Sequence, residues 1–494
     1  MERRIFPLTI NRYAFVKGSF LGAGLYLIFV ALFSSNIADY DLWGYLAFGR
    51  IFWEEGYFPF QDVFSYTPTK TIWVYHEWLT GVIFYFIYKY SGPVGLQFFR
   101  YILVLITIYL TYLTAIRRGG NPIWGLIALI PAALLISFGY VPVRAQIFSY
   151  LFFVLTLYIL ESAKKDLRWS LLWWLLPIQV LWCNFHGGFL AGLGLIVLYG
   201  LGEGLFRRKA LPFIMIGVMA ALVTLLNPYG IRYWQYTIQA VFMPRPEINE
   251  WVSILGAFKK GIYGVPATIF IVMAFIGSFF YVFRRRRDYT DILVVAMTLY
   301  WGWTHIRHNV FFGLVFGSYL PLVLTENWAA LKERRLIGGS WSWFPQGVLV
   351  VILLSVYLFS NPSLSFQVSP KFGLATPSPQ FPAGAYQWIK ANRFQGNILP
   401  HFEWGEFLIW YFSPLCRVAM DGRYETVYQD QVSREYFLFL SGKERGRDFL
   451  KKYPHDMVLI KPNSAADFIM RTEPGWKKVY SDPGCVIYLH QARE

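Results

Sequence analysis

Long apolar runs recur along the first 360 residues, and short basic clusters separate many of them. A helix needs roughly 20 apolar residues to cross about 30 Å of hydrocarbon, so runs near this length predict transmembrane helices. The first run is too long for a removable signal peptide and is expected to stay as a permanent helix. The pattern predicts about eleven spans, at 13–34, 94–116, 122–139, 145–161, 170–183, 187–205, 211–226, 264–283, 289–303, 308–325 and 343–360.

Segment 76–90 is apolar but short, and its placement decides the predicted orientation. As a span it would move the basic clusters at Arg117, Lys164 and Arg284 to the outside, against the positive-inside rule. As a juxtamembrane helix in the first outer loop, it leaves 18 Lys and Arg inside and nine in the outer loops. We therefore expect a multi-pass protein of the cytoplasmic (inner) membrane, with a cytoplasmic N-terminus and an extracytoplasmic C-terminal domain.

The composition changes near residue 362. We predict an all-α polytopic membrane domain at 1–361, a Pro/Ser-rich linker at 362–382 and a small soluble α/β domain at 383–494. In the last segment four strand-like runs, NILP, RVAMD, MVLIK and CVIYLH, alternate with helix-like runs. The predicted helices there are 383–393, 403–411, 443–452 and 464–471.

Composition supports a membrane protein and narrows the chemistry. The chain is 56% hydrophobic and only 15% charged, against roughly 25% in average soluble domains. The net charge of +16 reflects cytoplasmic loop bias in such a chain, so nucleic-acid binding is not expected. The three cysteines have no CxxC spacing, and no P-loop or dinucleotide motif occurs. Cys416 and Cys485 lie in the predicted outer domain, where a disulfide is permitted, but buried unpaired thiols are the stronger expectation.

The first outer loop opens with two carboxylates, Asp39 and Asp41, beside the membrane. Such a pair can hold a divalent cation, Mg²⁺ or Mn²⁺, or one member can act as a general base. A plain water-boundary role for the pair is equally compatible with the spacing. Further along this loop, Arg50 follows an aromatic amphipathic stretch, and His76 and Glu77 precede the juxtamembrane helix.

Few but specific polar residues mark the other outer loops. Each can merely satisfy a helix end, but as a set on one face they indicate function. The candidate substrate-binding residues are Arg50, His76, Glu77, Arg144, Gln146, Asn184, His186, Asn227, Arg307 and His308, with Arg245 as a further arginine. Arginine forks suit an anionic group, and an aspartate on the same side offers base or metal chemistry. This combination suits transfer from a lipid phosphate.

Seven short motifs carry a resemblance to a known family. They are DLWGYLAFGR, HEWL, RAQIFSYLFF, NFHGG, LNPYG, EWGEFLIW and MDGR, in this order along nearly the whole chain. With the predicted architecture they resemble the GT-C superfamily of integral-membrane glycosyltransferases. The closest likeness is to bacterial transferases that use polyprenyl-phosphate sugars, grouped with protein mannosyltransferases and the lipid A aminoarabinose transferase. Within these, the motifs resemble a narrower set of largely uncharacterised bacterial members.

The resemblance implies a donor from the lipid, an acceptor from the aqueous outer face, and a first-loop acid as catalytic base or metal ligand. That role falls on Asp39 or Asp41, and Asp41 fits the narrower motif better. The narrower set often has Trp-His where this chain has Gly44-Tyr45. Any role of that histidine is therefore in doubt here.

Three functions remain in competition at this stage. The first is transfer of a sugar from a polyprenyl-phosphate donor to a hydroxyl of a lipid, glycan or protein. The second is an O-antigen ligase or polymerase-like transfer from a diphosphate lipid, which would depend more on Arg144, Arg307 and His308. The third is a lipid flippase or transporter. Lys17 and Arg100 lie inside predicted spans and favour this function, whereas the absence of an internal repeat argues against it.

Overall fold

The computed structural model describes residues 25–207, 210–246, 248–284, 287–334, 344–349, 351, 371 and 380–491. Residues 25–33 are helical and precede a bundle of helices. The helices are α1 (Leu42–Arg50), α2 (Trp78–Arg118), α3 (Pro122–Tyr140), α4 (Gln146–Asp166), α5 (Leu175–Phe185), α6 (Leu190–Arg207), α7 (Leu211–Val223), α8 (Ile231–Phe242), α9 (Ile254–Lys260), α10 (Gly264–Val282), α11 (Tyr289–Thr304) and α12 (Asn309–Glu333). Helix α12 lies at the centre, with nearly its whole N-terminal half buried against α2, α3 and α11.

Six helical segments within the described residues are long and apolar enough to cross a membrane. They are Trp78–Arg118, Pro122–Tyr140, Gln146–Asp166, Gly187–Leu205, Gly264–Val282 and Ile306–Glu333. The spans predicted at 170–183, 211–226 and 289–303 correspond to the shorter helices α5, α7 and α11. Most of the spans predicted at 13–34 and 343–360 lies outside the described residues. The protein is thus a multi-pass membrane protein, and the count of eleven is not confirmed.

The predicted break between segment 76–90 and the next span lies inside α2. Gly92 has φ 60° and ψ −161°, and Pro93 follows it, so the helix has a sharp kink there. The arm before the kink packs on α1 through close glycine contacts. A Cβ on Gly49 would lie 2.3 Å from the carbonyl oxygen of Gly81. The arm before the kink is therefore a separate element held against α1.

The C-terminal region contains a five-stranded mixed sheet, in the order β2-β1-β3-β5-β4. Strands β1 (Gly396–Pro400), β2 (Cys416–Val418) and β3 (Met457–Ile460) are parallel, while β4 (Trp476–Ser481) and β5 (Val486–His490) are antiparallel to their neighbours. Its helices are α13 (Ala383–Ala391), α14 (Gly405–Phe412), α15 (Tyr424–Val427), α16 (Asp430–Leu440), α17 (Arg447–Lys452) and α18 (Ala465–Met470). The prediction located four strands and missed β4, α15 and α16. Cys416 and Cys485 are buried free thiols.

The first outer loop lies against this sheet rather than apart from it. Ser65 pairs with Val418 of β2, whose amide donates to the Phe64 carbonyl at 3.0 Å. The Thr67 hydroxyl donates to the Ala419 carbonyl at 2.7 Å. The loop thereby covers an edge strand that would otherwise expose unpaired backbone groups.

Helix α14 also packs on α1. Trp43 meets Phe407 edge to face at a ring distance of 5.8 Å. Arg50 donates to the Trp410 carbonyl at 2.9 Å, with its guanidinium 4.7 Å from the Trp410 ring. The C-terminal sheet region and the first outer loop therefore form one packed unit beside the bundle.

Candidate functional site

One arginine gathers three carboxylates at the end of the bundle where α4 begins. Arg144, in the turn between α3 and α4, lies 3.1 Å from Asp39, 2.6 Å from Asp41 and 2.7 Å from Glu250. Asp39 follows the helical segment 25–33, Asp41 precedes α1, and Glu250 lies in the turn before α9. The loop with Asp39 and Asp41, the loop with Arg144 and the loop with Glu250 thus meet at one guanidinium. We call these four residues, together with the neighbouring residues described in the next paragraphs, the site cluster.

A second arginine fixes the helix ends that carry these loops. Arg100 of α2 is buried and donates to the carbonyls of Phe33 (2.8 Å), Ser35 (2.6 Å), Tyr140 (2.9 Å) and Val141. These carbonyls end the segment 25–33 and α3, where the helix leaves them without intrahelical partners. Arg100 therefore joins the chain leading to Asp39 with the chain leading to Arg144.

Burial and charge act differently on the carboxylates around Arg144. For Asp39, burial raises the pKa to about 7; Arg144 acts against this rise, while Asp41 and Glu250 add to it. Burial would also raise the pKa of Glu250, but Arg144 and Arg307 outweigh it and lower that pKa below its usual value. The group therefore contains carboxyls that differ in proton affinity, a pattern common in catalytic sites.

Glu77 precedes α2 but does not cap it. Its side chain makes no bond to the helix N-terminus and accepts instead from the Tyr45 hydroxyl at 3.0 Å. His186 Nε2 lies 3.4 Å from the other Glu77 oxygen. Among the described residues Glu77 has no lysine or arginine in ion-pair contact. Burial, and then repulsion from Asp41, raise its pKa to about 8.

The hydrogen bonds of His186 define its tautomer. Its Nδ1 accepts from the Gly188 amide at 2.9 Å and lies 2.7 Å from the Ser149 hydroxyl, which itself accepts from Trp182 Nε1. The proton of the neutral ring is therefore on Nε2, facing Glu77. Burial, with the nearby charge of His76, lowers the pKa of His186 well below its usual value. The imidazole is held neutral with its Nε2–H 3.4 Å from Glu77.

Two arginines flank Trp251 on the other side of the site cluster. Arg245 donates to both carboxylate oxygens of Glu425 in α15, to one of them at 2.7 Å. Its guanidinium lies 4.2 Å from the Trp251 ring. Arg307 lies 4.8 Å from the same ring and, among the described residues, has no ion-paired carboxylate. His308 packs on Trp251 with a ring distance of 5.8 Å.

The aspartate pair does not form a metal site in this arrangement. The Arg144 guanidinium contacts both carboxylates, where a divalent cation would need them. In the described ranges no group of three or more His, Cys, Asp or Glu side chains could hold a metal ion. The divalent cation stays a prediction, and the proposed chemistry does not depend on it.

The C-terminal region contributes a buried glutamate next to Asp41 and the start of α1. Glu406 of α14 accepts from the Gly44 amide at 3.0 Å. Burial, then repulsion from Asp41, raise its pKa well above the usual value. Nearby, Arg423 binds Asp62 of the first loop at 2.7 Å and also Asp421. The motifs EWGEFLIW and MDGR thus join the C-terminal region to the site.

The structure brings most predicted site residues together. The site cluster contains Asp39, Asp41, His76, Glu77, Arg144, His186, Arg307 and His308. The His76 ring packs on the Tyr236 ring, with 5.3 Å between the ring centroids.

Four predicted residues lie outside the site cluster. Arg50 binds α14, Asn184 bonds Trp78 and the Leu226 carbonyl, and Asn227 bonds within its own turn. Gln146 begins α4, and its side chain makes no hydrogen bond in the described part of the chain. For Asn184 and Asn227 this agrees with the helix-end alternative.

Sequence reasoning missed Glu250, Tyr45, Glu425 and Glu406. Glu406 lies within a quoted motif, EWGEFLIW, which was the available signal. Glu250 lies in an irregular loop with no local pattern. Tyr45 stands where the narrower set has histidine, and its hydroxyl supplies a donor to Glu77 from that position.

The fold was compared with known proteins. No protein-family model and no curated protein matches the sequence. Among solved structures, the oligosaccharyltransferase of Archaeoglobus fulgidus, in complex with Zn and sulfate, superimposes with a TM-score of 0.56 at 13% identity. The match covers 95% of this chain and 72% of that one.

Two other solved structures match at lower TM-scores. ArnT of Cupriavidus metallidurans, bound to undecaprenyl phosphate, gives 0.45 at 14% identity over 96% of this chain and 98% of that one. The mycobacterial arabinofuranosyltransferase AftD gives 0.48 at 11% identity over 96% and 41%. The chain shares its fold with the Archaeoglobus fulgidus oligosaccharyltransferase.

Proposed function

We propose that this protein moves a sugar from a polyprenyl-phosphate donor to a hydroxyl acceptor on the outer face of the cytoplasmic membrane. The acceptor is a lipid, a glycan or a protein. The observation that supports the proposal is the site cluster itself. It contains Arg307, which has no ion-paired carboxylate among the described residues, together with the partly buried carboxylates Asp41 and Glu77. An anion-binding cation beside a base is what such transfer requires.

The proposed reaction is a single displacement with inversion. The acceptor oxygen attacks the anomeric carbon, the bond to the lipid phosphate breaks, and the phosphate leaves with the bonding electrons. Asp41 takes the acceptor proton, and Arg307 stabilises the charge that develops on the phosphate. Asp39 holds Arg144 beside Asp41 and so assists its neighbour.

The pairing of the arginines favours a monophosphate donor. Arg144 is shared by three carboxylates and Arg245 is bound by Glu425, which leaves Arg307 for phosphate. An O-antigen ligase-like reaction with a diphosphate lipid would call for more unpaired cations. The transporter alternative is also weakened, because backbone carbonyls satisfy the buried Arg100 and so give it a structural role.

The proposal is tested with the full chain in vesicles. Polyprenyl phosphates bearing a panel of radiolabelled hexoses and pentoses, and the matching diphosphates, are supplied with membrane lipid, glycan and peptide acceptors. We expect label transfer from a monophosphate donor and none from its diphosphate. Transfer from the diphosphate alone would support the ligase-like alternative. Movement of intact donor across the bilayer without sugar transfer would support the flippase.

A further inference from the structure

The N-terminal end of α1 is capped in an unusual way. Asp41 is the N-cap residue, where an aspartate normally accepts from the amide of the second or third helical residue. Its carboxylate makes no such bond and lies on Arg144 instead. The amide of the third residue, Gly44, donates to Glu406 of the C-terminal region, 362 positions away in sequence.

Two glycines make room for this contact. A Cβ on Gly44 would lie 2.2 Å from Glu406 Oε2, which no real side chain tolerates. A Cβ on Gly422 would lie 2.6 Å from Glu406 Oε1 and 3.2 Å from Asp41 Oδ1. The carboxyl groups of Glu406 and Asp41 therefore border the same point in space. Three motifs, DLWGYLAFGR, EWGEFLIW and MDGR, meet at this point.

Another side chain has thus replaced Asp41 as the cap. If Gly44 lost its acceptor, the Asp41 carboxylate would be able to restore the bond by a rotation of the Asp41 backbone from its present helical conformation (φ −75°, ψ −16°) to the extended conformation of an N-cap residue. That rotation would withdraw Asp41 from Arg144. Because it already donates to Glu406, the Gly44 amide is not free for Asp41 to turn toward.

We propose that Glu406 is a positioning residue that caps α1 in place of Asp41 and thereby keeps the Asp41 carboxylate available to the acceptor. This rests on the proposed function, in which Asp41 takes the acceptor proton. It also gives the C-terminal region a direct part in the reaction through one hydrogen bond.

The test compares Glu406→Gln with Glu406→Met. The glutamine amide oxygen can still accept from Gly44, whereas methionine fills similar volume without an acceptor. We expect Glu406→Met to lower turnover by roughly 10- to 100-fold, as expected for a misplaced catalytic group, with donor binding unchanged. Glu406→Gln should stay within about threefold of the natural protein. In an Asp41→Asn background, Glu406→Met should add little further loss.

Three results would overturn the proposal: equal losses in the glutamine and methionine variants, natural turnover in the methionine variant, or full additivity with Asp41→Asn. If Glu406→Met does not fold, Gly44→Ala breaks the same hydrogen bond and takes its place.

A structure of Glu406→Met separates this proposal from the proposed function. It should show Asp41 within hydrogen-bond distance of the Gly44 amide, whatever the reaction. An unmoved Asp41 would refute the positioning role. Normal transfer by Asp41→Asn alone would instead refute the proposed function.

Discussion

Two buried charge clusters lie at opposite ends of the same helices, and they are built differently. The distal cluster joins the end of α2 and α4 to the start of α11, and each of its three cations contacts two carboxylates. These contacts are Arg118 with Glu161 and Asp291, Lys164 with Glu203 and Asp288, and Arg284 with Asp291 and Glu326. In the site cluster, by contrast, Arg307 lacks a carboxylate and Glu77 lacks a cation among the described residues.

The difference separates a structural use of buried charge from a functional one. Complete pairing compensates the desolvation of each group and locks helices together, as in the distal cluster. A buried charged group without an ion-pair partner can instead interact favourably with a ligand of opposite charge. The incomplete pairing of the site cluster is what favours it, rather than the distal cluster, as the proposed binding site.

The largest expected effect is on turnover at the site cluster. Asp41→Asn keeps the shape of the side chain but removes the base, so transfer should fall by roughly 10² to 10⁴. Asp39→Asn should be milder if Asp39 only holds Arg144, and as severe if the pair holds a metal. Transfer is measured with radiolabelled donor in vesicles.

The matched control for this change is Asp166→Asn, which removes a carboxylate from the Arg117 pair at the distal end. Its turnover should stay near that of the natural protein. Near-natural transfer by folded Asp41→Asn and Asp39→Asn variants would contradict the assigned roles.

The second effect is on stability and compares the two clusters directly. Arg118→Met leaves the buried Glu161 and Asp291 without a shared cation, which should lower the free energy of unfolding by about 3–5 kcal/mol. Among the described residues Arg307→Met breaks no ion pair; it loses the contact with Trp251, worth about 1 kcal/mol, and the longer-range attraction to Glu250. Thermal unfolding in detergent, followed by tryptophan fluorescence, measures both. Equal losses would mean that the two clusters do not differ.

The smallest effect is a pH dependence from Glu77. Its pKa is raised to about 8 in the folded protein, so the folded state binds a proton that the unfolded state releases above its usual pKa. Stability should therefore fall as pH rises from about 5 to 8, by up to about 1.4 kcal/mol per pH unit. Glu77→Gln removes this slope because glutamine does not titrate, while its amide oxygen can still accept from the Tyr45 hydroxyl. An identical pH slope in both proteins would exclude the raised pKa.

The sequence predicted what local patterns determine. Apolar runs located the long helices, and short β-rich runs located β1, β2, β3 and β5. The rule that outer loops share a face correctly placed Arg144 with Asp39 and Asp41. The hydrogen bond from Gly44 to Glu406 could not be predicted, because it joins residues 362 positions apart. Arg50 was assigned to substrate because nothing in the sequence shows that α14 covers it.

The most direct test of the central claim is donor binding in nanodiscs with polyprenyl phosphate as the probe. Arg307→Met should weaken binding by roughly 10- to 100-fold, the loss expected for a charge-assisted contact to phosphate, while Asp41→Asn should bind like the natural protein. This pattern would place the phosphate on Arg307 and leave Asp41 for the acceptor. Unchanged binding by a folded Arg307→Met variant would contradict the account.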